Sequence, residues 1–316
     1  MKYRELGRTG IKVSEVGFGG WPIGGNRHGN SYGPTDDKTS LEAIDKALEL
    51  GCNFFDTADV YGWGHSEELL GKAFRGKRDR IVLATKVGSD FYQGYGFQTF
   101  DEVYVRFALD KSLERLQTDY IDLYQLHNPP SDVLEAESTY SVLMKLKNEG
   151  KIRAWGVSAR NSRDGQIALM VSKPDSIQVP YNIFATGPEQ DLFPLADQVG
   201  CAIIAREPLS NGFLTGKYDI DASFDSGDMR RNWPRDFINA RVKASQQLHF
   251  LARNGSRTLT QAAIQWVLQS KVVSAVIPGI KTAEQAKEDF TAPDAPKLMT
   301  EELNEIERLS RDKFGL

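Results

Sequence analysis

The stretch Cys52-Asn53-Phe54-Phe55-Asp56-Thr57-Ala58-Asp59-Val60-Tyr61-Gly62-Trp63-Gly64-His65-Ser66-Glu67-Glu68 holds one complete structural unit. Its apolar start, 52–55, reads as a buried strand. Residues 67–75 read as a helix with Ser66 as N-cap and Leu69, Leu70 and Phe74 along one side. Asp56 then stands where the strand ends, and Tyr61 in the glycine-flanked loop above it. Taken alone, Asp56 is a turn-closing carboxylate and Tyr61 a ring packed on its own loop. The pair means more if the same unit recurs around a closed sheet.

It does recur. Strands begin at Val16, Asn53, Ile81, Ile121, Ile152, Ile177, Ala202 and Val273, and each is followed by a segment of helical spacing, such as Val105, Leu109, Leu113 and Leu116. Strand–helix alternation implies parallel strands. An open, doubly wound sheet would open on a glycine fingerprint. Here Gly17 and Gly19 are followed by Pro22 where the third glycine belongs. The expected fold is therefore α/β, a (β/α)8 TIM barrel forming a single domain over 1–316. A hairpin turning at Gly7-Arg8-Thr9-Gly10 caps its amino end, and an extra helix at 300–311 closes the chain. Long helices are expected at 133–148, 190–199 and 237–254, with an irregular segment at 206–235.

Composition narrows the function. The formal net charge of -4 is spread along the chain, which argues against nucleic-acid binding. Cys52 and Cys201 lie in apolar strands and show no metal or redox spacing. The first residues lack a signal peptide's apolar core, and no run is long enough to span a bilayer, so a cytoplasmic protein is expected.

In a parallel barrel the carboxyl ends of all strands meet at one face. Asp56, Tyr61, Lys86 and His127 all fall just beyond the second, third and fourth strands. A phenol is a poor acid near neutral pH, and an adjacent ammonium eases its proton loss. Lys86 would be that ammonium, Asp56 its counter-ion, and His127 a second group to orient a carbonyl oxygen. Such a site polarises a carbonyl and protonates the oxygen once a hydride arrives. None of these side chains delivers a hydride, so a redox cofactor is required.

Ordered motifs along nearly the whole chain carry a resemblance. They are Leu6-Gly7-Arg8-Thr9-Gly10, Asp56-Thr57-Ala58 with Tyr61-Gly62 and Ser66-Glu67, and Ala84-Thr85-Lys86. Asp122-Leu123-Tyr124-Gln125-Leu126-His127, Gly156-Val157-Ser158 and Ile277-Pro278-Gly279 follow. The set resembles the aldo-keto reductase superfamily. The resemblance implies an NADP(H)-dependent barrel that reduces aldehydes or ketones reversibly. It assigns Tyr61 as general acid/base, Lys86 and Asp56 as the pair tuning it, and His127 as the substrate-orienting residue. It gives the nicotinamide carboxamide to Ser158 and Gln178, and the pyrophosphate to Leu209, Ser210, Gly212 and Leu214. The adenosine end falls to Gly279, Lys281, Thr282, Gln285 and Asp289. Gly20, Trp21, Arg206 and Lys217 join the cofactor set, and Trp21, Trp63 and Asn128 join Tyr61 and His127 around the substrate. Loops 21–32, 91–100 and 228–233 would shape the pocket.

Three positions depart from the family pattern. Ala159 stands where an Asn is common, Arg206 where an aromatic ring stacks on the nicotinamide, and Asp289 where an Asn meets the adenine. Arg206 is expected on the cofactor side of the barrel mouth, with an ion pair to Glu207 as the competing arrangement. Asp289 is expected to add a charge that opposes phosphate. Two other functions remain open on sequence: a Schiff-base lyase using Lys86, and a cofactor-sensing regulatory subunit with little turnover.

Overall fold

The structure, a computed structural model, describes residues 1–28, 31–94, 96–253 and 255–316. Gly29, Asn30 and Tyr95 of the expected pocket loops, and Asn254 of an expected helix, lie outside the described residues.

Two short strands, β1 (Tyr3–Glu5) and β2 (Lys12–Ser14), pair antiparallel. Eight parallel strands follow: β3 (Phe18–Gly19), β4 (Phe54–Asp56), β5 (Val82–Val87), β6 (Ile121–His127), β7 (Ile152–Ser158), β8 (Ser176–Pro180), β9 (Ala202–Arg206) and β10 (Val273–Ile277). Each strand pairs with the next in chain order. The ring closes where Val16 bridges Val276 and Gly19 bridges Gly279, both parallel. Gly19 is needed there, since a Cβ would lie 2.5 Å from the Pro278 carbonyl oxygen. The (β/α)8 barrel expected from the alternation is what the chain builds.

The main helices around the barrel are α1 (Asp37–Glu49), α2 (His65–Ala73), α3 (Glu102–Leu116), α4 (Ser131–Glu135), α5 (Glu137–Asn148) and α6 (Ser162–Val171). They continue as α7 (Pro188–Asp191), α8 (Phe193–Val199), α9 (Arg235–Gln246), α10 (Leu259–Val267), α11 (Ala283–Phe290) and α12 (Thr300–Arg311). Several start where a side chain satisfies an otherwise unpaired amide. Asp36 accepts from Thr39 N, Asp101 from Tyr104 N, and Thr258 forms a capping box with Gln261. Two expected long helices are divided. Residues 131–148 break at Ala136, which is extended (φ -85°, ψ 110°), and 188–199 break before Phe193-Pro194, where the proline opens a new first turn. The helix expected to reach 254 ends at Gln246 and is followed by a 3-10 turn, His249–Leu251.

Side chains alternate in and out along each strand. The lower interior is apolar: Phe54, Val82, Ala84, Leu123, Ala154, Ala202, Ile204 and Ala275. Leu6, Ile11 and Val13 of the hairpin join this cluster and close the amino end. Above it the same inward positions turn polar, and the site begins.

Candidate active site

Four buried polar side chains, each on a different strand, form the floor of the site: Asp56 on β4, Lys86 on β5, Gln125 on β6 and Gln178 on β8. The Lys86 ammonium donates to Asp56 Oδ1 at 2.5 Å, to the Thr57 carbonyl at 2.7 Å and to Tyr61 Oη at 3.3 Å. Asp56 Oδ2 accepts from Gln125 Nε2 at 3.0 Å and from Gln178 Nε2 at 2.8 Å. A buried ion pair is costly unless its remaining lone pairs and protons are satisfied, and here they are. Lys86 lies inside β5, not at its end, because the strand runs to Val87.

Tyr61 sits in the loop between β4 and α2, and glycine contacts pin that loop. Gly62 has φ +62°, and a Cβ there would lie 2.1 Å from the Gly24 carbonyl oxygen. The loop therefore seats against the 3-10 turn Pro22–Gly24. Ser66 does not cap α2, which starts at His65 after Gly64. Its hydroxyl is buried instead, bonding Thr57 Oγ1 at 2.8 Å and donating to the Gly20 carbonyl at 2.9 Å, which ties both ends of the loop down.

The electrostatics follow from burial. Burial raises the Tyr61 phenol above its usual pKa, and Lys86 offsets only part of this. The sequence expectation that Lys86 would ease proton loss holds for that one interaction, but desolvation outweighs it. Burial pulls Lys86 down, yet Asp56 and Tyr61 together more than compensate, so its pKa is raised and it stays an ammonium. His127 packs edge-on to Tyr61, ring centroids 5.7 Å apart. Burial, then the charges of Lys86 and Arg206, hold its pKa well below the usual imidazole range, and it is neutral. Its Nδ1 is buried without a protein partner.

Above this floor opens a cavity of about 680 Å³ lined by Gly20, Trp21, Asp56, Tyr61, Trp63, His127, Asn128, Gln178 and Arg206. A second, of about 490 Å³, is lined by Leu209, Gly212, Lys217, Lys281, Gln285 and Asp289. Tyr32, Glu207, Asn211 and Gly279 line both, so the two form one trench across the barrel mouth. Ser158, Ser210, Leu214 and Thr282 do not line either cavity. Ser158 lies behind Gln178, donating to its Oε1 at 3.2 Å. Leu214 is buried in a separate apolar cluster with Ile183, Leu248 and Leu259. Ser210 is buried below the trench, and Thr282 caps α11 by accepting from Gln285 N.

The three departures resolve differently. Arg206 lines the catalytic cavity and is also ion-paired with Glu207, so both expected arrangements occur together. Its Nη2 reaches the Ala159 carbonyl at 3.3 Å, and its Nε is buried without a partner. Asp289 is buried, and burial pushes its carboxyl well above the usual range, which weakens the opposition to phosphate expected of it. Lys281 points its ammonium at the carbonyls of Tyr32 (2.5 Å) and Pro34 (3.4 Å).

Sequence reasoning missed several groups. Gln125 has no role in the sequence reading, although an amide at an inward position of an apolar strand is the available signal. Arg230 gave no signal: it is buried, forked onto Asp228 (3.0 and 2.6 Å), and lies over the rings of Tyr32 and Phe224. With Tyr32 Oη donating to Asn211 Oδ1 at 2.7 Å, it joins the 31–35 loop to the 206–233 segment over the trench. Asp59 is buried with both oxygens unpartnered among the described residues, and desolvation first, then the Glu67 charge, raises its pKa well above the usual carboxylate range.

The trench fits a dinucleotide. It joins a proton-donating floor to a second cavity where Lys217, Arg230 and Lys281 stand among Glu207, Glu288 and Asp289, with Gly212 and Gly279 along its lining. A Cβ at Gly279 would meet Pro22 at 2.9 Å.

Residues 15–311 match the model described as Aldo/keto reductase family. Aldo-keto reductase YhdN of Bacillus subtilis (strain 168) is 38% identical over 275 residues, which is 85% of this chain and 81% of that protein. Aldo-keto reductase yakc of Schizosaccharomyces pombe, whose name carries NADP(+), is 31% identical over 271 residues, 83% and 79% of the two chains. The holo form of aldo-keto reductase AKR11C1 from Bacillus halodurans superimposes with a TM-score of 0.82 at 34% identity, covering 98% of this chain and 96% of that one.

Proposed function

The chain belongs to the aldo/keto reductase family, and from that premise we propose that it is an NADP(H)-dependent reductase of aldehydes or ketones, working on one barrel over 1–316. The observation that carries this is the Lys86 ammonium, bonded at once to Asp56, the Thr57 carbonyl and the Tyr61 hydroxyl. The bound nicotinamide supplies the hydride. Tyr61 and neutral His127 face the same cavity, where the phenol hydroxyl and the imidazole hydrogen-bond a substrate carbonyl oxygen. As negative charge grows on that oxygen, Tyr61 gives up its proton, and Lys86 stabilises the phenolate left behind. In alcohol oxidation the same phenolate takes the proton back. Gln178, backed by Ser158, is the group we assign to the nicotinamide carboxamide, with Leu209, Gly212 and Lys217 along the diphosphate, and Lys281, Gln285 and Asp289 at the adenosine end. Trp21, Trp63 and Asn128 form the substrate wall. A Schiff-base role for Lys86 is disfavoured, because its ammonium has three acceptors and a raised pKa, the opposite of a free amine.

The test is a screen of aldehydes, ketones and sugars with NADPH consumption as readout, repeated with Tyr61→Phe. Losing the proton donor should lower turnover on the order of a hundredfold or more while NADPH affinity stays nearly unchanged. Near wild-type turnover in Tyr61→Phe would remove Tyr61 from the chemistry.

A further inference from the structure

Gln125 projects inward from β6 two residues above Leu123 and two below His127, where the barrel interior changes from apolar to polar. It is fully buried and does not line the cavity. Its orientation follows from chemistry: the Asp56 carboxylate only accepts, so the Nε2 end must face it. Three side chains then close a triangle. Gln125 Nε2 donates to Asp56 Oδ2 at 3.0 Å, Gln178 Nε2 donates to the same oxygen at 2.8 Å, and Gln178 Nε2 also donates to Gln125 Oε1 at 3.3 Å. The other oxygen, Oδ1, is left to Lys86.

We propose that Gln125 is a positioning residue for carbonyl reduction: it turns and disperses the Asp56 carboxylate, and so sets how much positive charge Lys86 presents to Tyr61. This rests on the reading of Tyr61 as proton donor. The mechanism is a division of one negative charge. Two amide donors on Oδ2 draw charge away from Oδ1, which weakens the hold of Asp56 on Lys86 and leaves more of the ammonium's field for the phenol. Without Gln125, Asp56 keeps Lys86 and Gln178, but its charge is less dispersed and its plane less fixed. Gln178, which lines the cavity, also loses one of the two acceptors that orient it.

A purely structural glutamine predicts something else. An amide buried only to fill space is replaced by an apolar residue of similar size at little cost to turnover. Two substitutions separate the readings. Gln125→Leu should lower kcat about tenfold, the scale of one lost hydrogen bond to a charged group, with KM and NADPH Kd each moving less than about threefold. Gln125→Glu is the sharper probe. When protonated, the introduced carboxyl matches the amide in shape and still donates to Asp56. When ionised, it repels Asp56 and draws on Lys86. Two adjoining carboxylates share one proton, so reduction by Gln125→Glu should persist near pH 5 and fall about tenfold by about pH 8. Neither wild type nor Gln125→Leu should show that limb. A Gln125→Glu profile parallel to wild type, or full turnover in Gln125→Leu, overturns the proposal. Should Gln125→Glu not fold, as judged by circular dichroism, the split between kcat and KM in Gln125→Leu decides.

Failure of the functional reading would look different, because wild type itself would then reduce none of the carbonyls with NADPH. An ultraviolet tyrosinate titration, with Tyr61→Phe identifying the Tyr61 signal, still decides in that case. Tyr61 should ionise at higher pH in Gln125→Leu than in wild type, and coincident titrations overturn the proposal.

Discussion

The two ends of the trench are held by different means. At the catalytic end every charged or amide group of the floor is borne on a strand, and hydrogen bonds among them satisfy it from several sides. At the other end the lining comes from loops together with α10 and α11, and contacts across the trench by Tyr32, Asn211 and Arg230 hold the loops. Three lining or supporting positions within residues 207–211 carry positive φ without being glycine: Glu207 at 56°, Ser210 at 46° and Asn211 at 56°. Such conformations cost free energy and persist where the surroundings over-determine them. Chemistry that fails with small misplacement sits on the rigid part. The groups suited to binding sit on segments held by side-chain contacts across the trench.

The largest effect should come from breaking the rigid end. Lys86→Met leaves Asp56 buried with two amides but no counter-ion. Removing one partner of a buried pair typically costs about 3–5 kcal/mol, so both turnover and melting temperature should fall sharply. Asp56→Asn should be milder, since an amide oxygen can still accept from the ammonium. Calorimetry with single-turnover kinetics checks the order, and a larger loss in Asp56→Asn would mean the pair is not organised around Lys86.

That contrast also explains what the sequence made legible. The strand-borne residues Asp56, Lys86, His127 and Gln178 could be placed because period-two alternation and chain order fix where strand ends meet. Gln125 sat in the same strand as His127 and obeyed the same alternation. Its role is not legible from ionisable chemistry, though a buried amide must find partners as surely as a charge does. The loop-borne end is another matter. Lys281 reaches the carbonyl of Tyr32, and Tyr32 reaches Asn211, pairings between residues far apart in sequence that no local pattern encodes. Ser66 misled for a related reason: it has the chemistry of a cap, but tertiary contacts with Thr57 and Gly20 claimed its hydroxyl. The upward shifts of Tyr61 and Asp289 both follow from the depth of burial, which sequence does not state.

A middle-sized effect concerns His127 and pH. Its pKa in the fold is depressed by burial first, then by Lys86 and Arg206. In the unfolded chain an imidazole takes up its proton at about pH 6.5. Below that pH the unfolded state binds more protons than the native state, so stability is lost as pH falls, and it is fully present above. His127→Gln cannot titrate. Its melting temperature should fall less than that of wild type between about pH 7 and pH 5, the window set by the unfolded pKa. Scanning calorimetry at several pH values reads this directly, and parallel curves for the two proteins would mean that His127 is protonated in the folded state.

The smallest effect belongs to the loop-borne end and to the choice between NADP(H) and NAD(H). The extra phosphate of NADP(H) needs cations or donors, and α11 begins beside the second cavity, where a helix start favours an anion. Part of that capacity is already used. Thr282 Oγ1 accepts from Gln285 N, and Gln285 Oε1 accepts from the Lys281 amide at 2.8 Å. The Lys281 ammonium is itself bonded to the Tyr32 and Pro34 carbonyls, and burial lowers its pKa. Turning to a phosphate therefore means giving up contacts that hold the 31–35 loop. Glu288 lines the cavity and opposes an anion, whereas burial raises the Asp289 pKa and so weakens its opposition. The gain from a charge-assisted bond is about 1.5–3 kcal/mol before such costs, which leaves a net preference of roughly fivefold to tenfold. Lys281→Ala should accordingly weaken NADPH binding by about that factor while NADH binding changes little. Fluorescence titration with both cofactors measures the two constants. Equal weakening of both would show that Lys281 acts by fastening the Tyr32 loop over the trench, and that phosphate selection lies elsewhere.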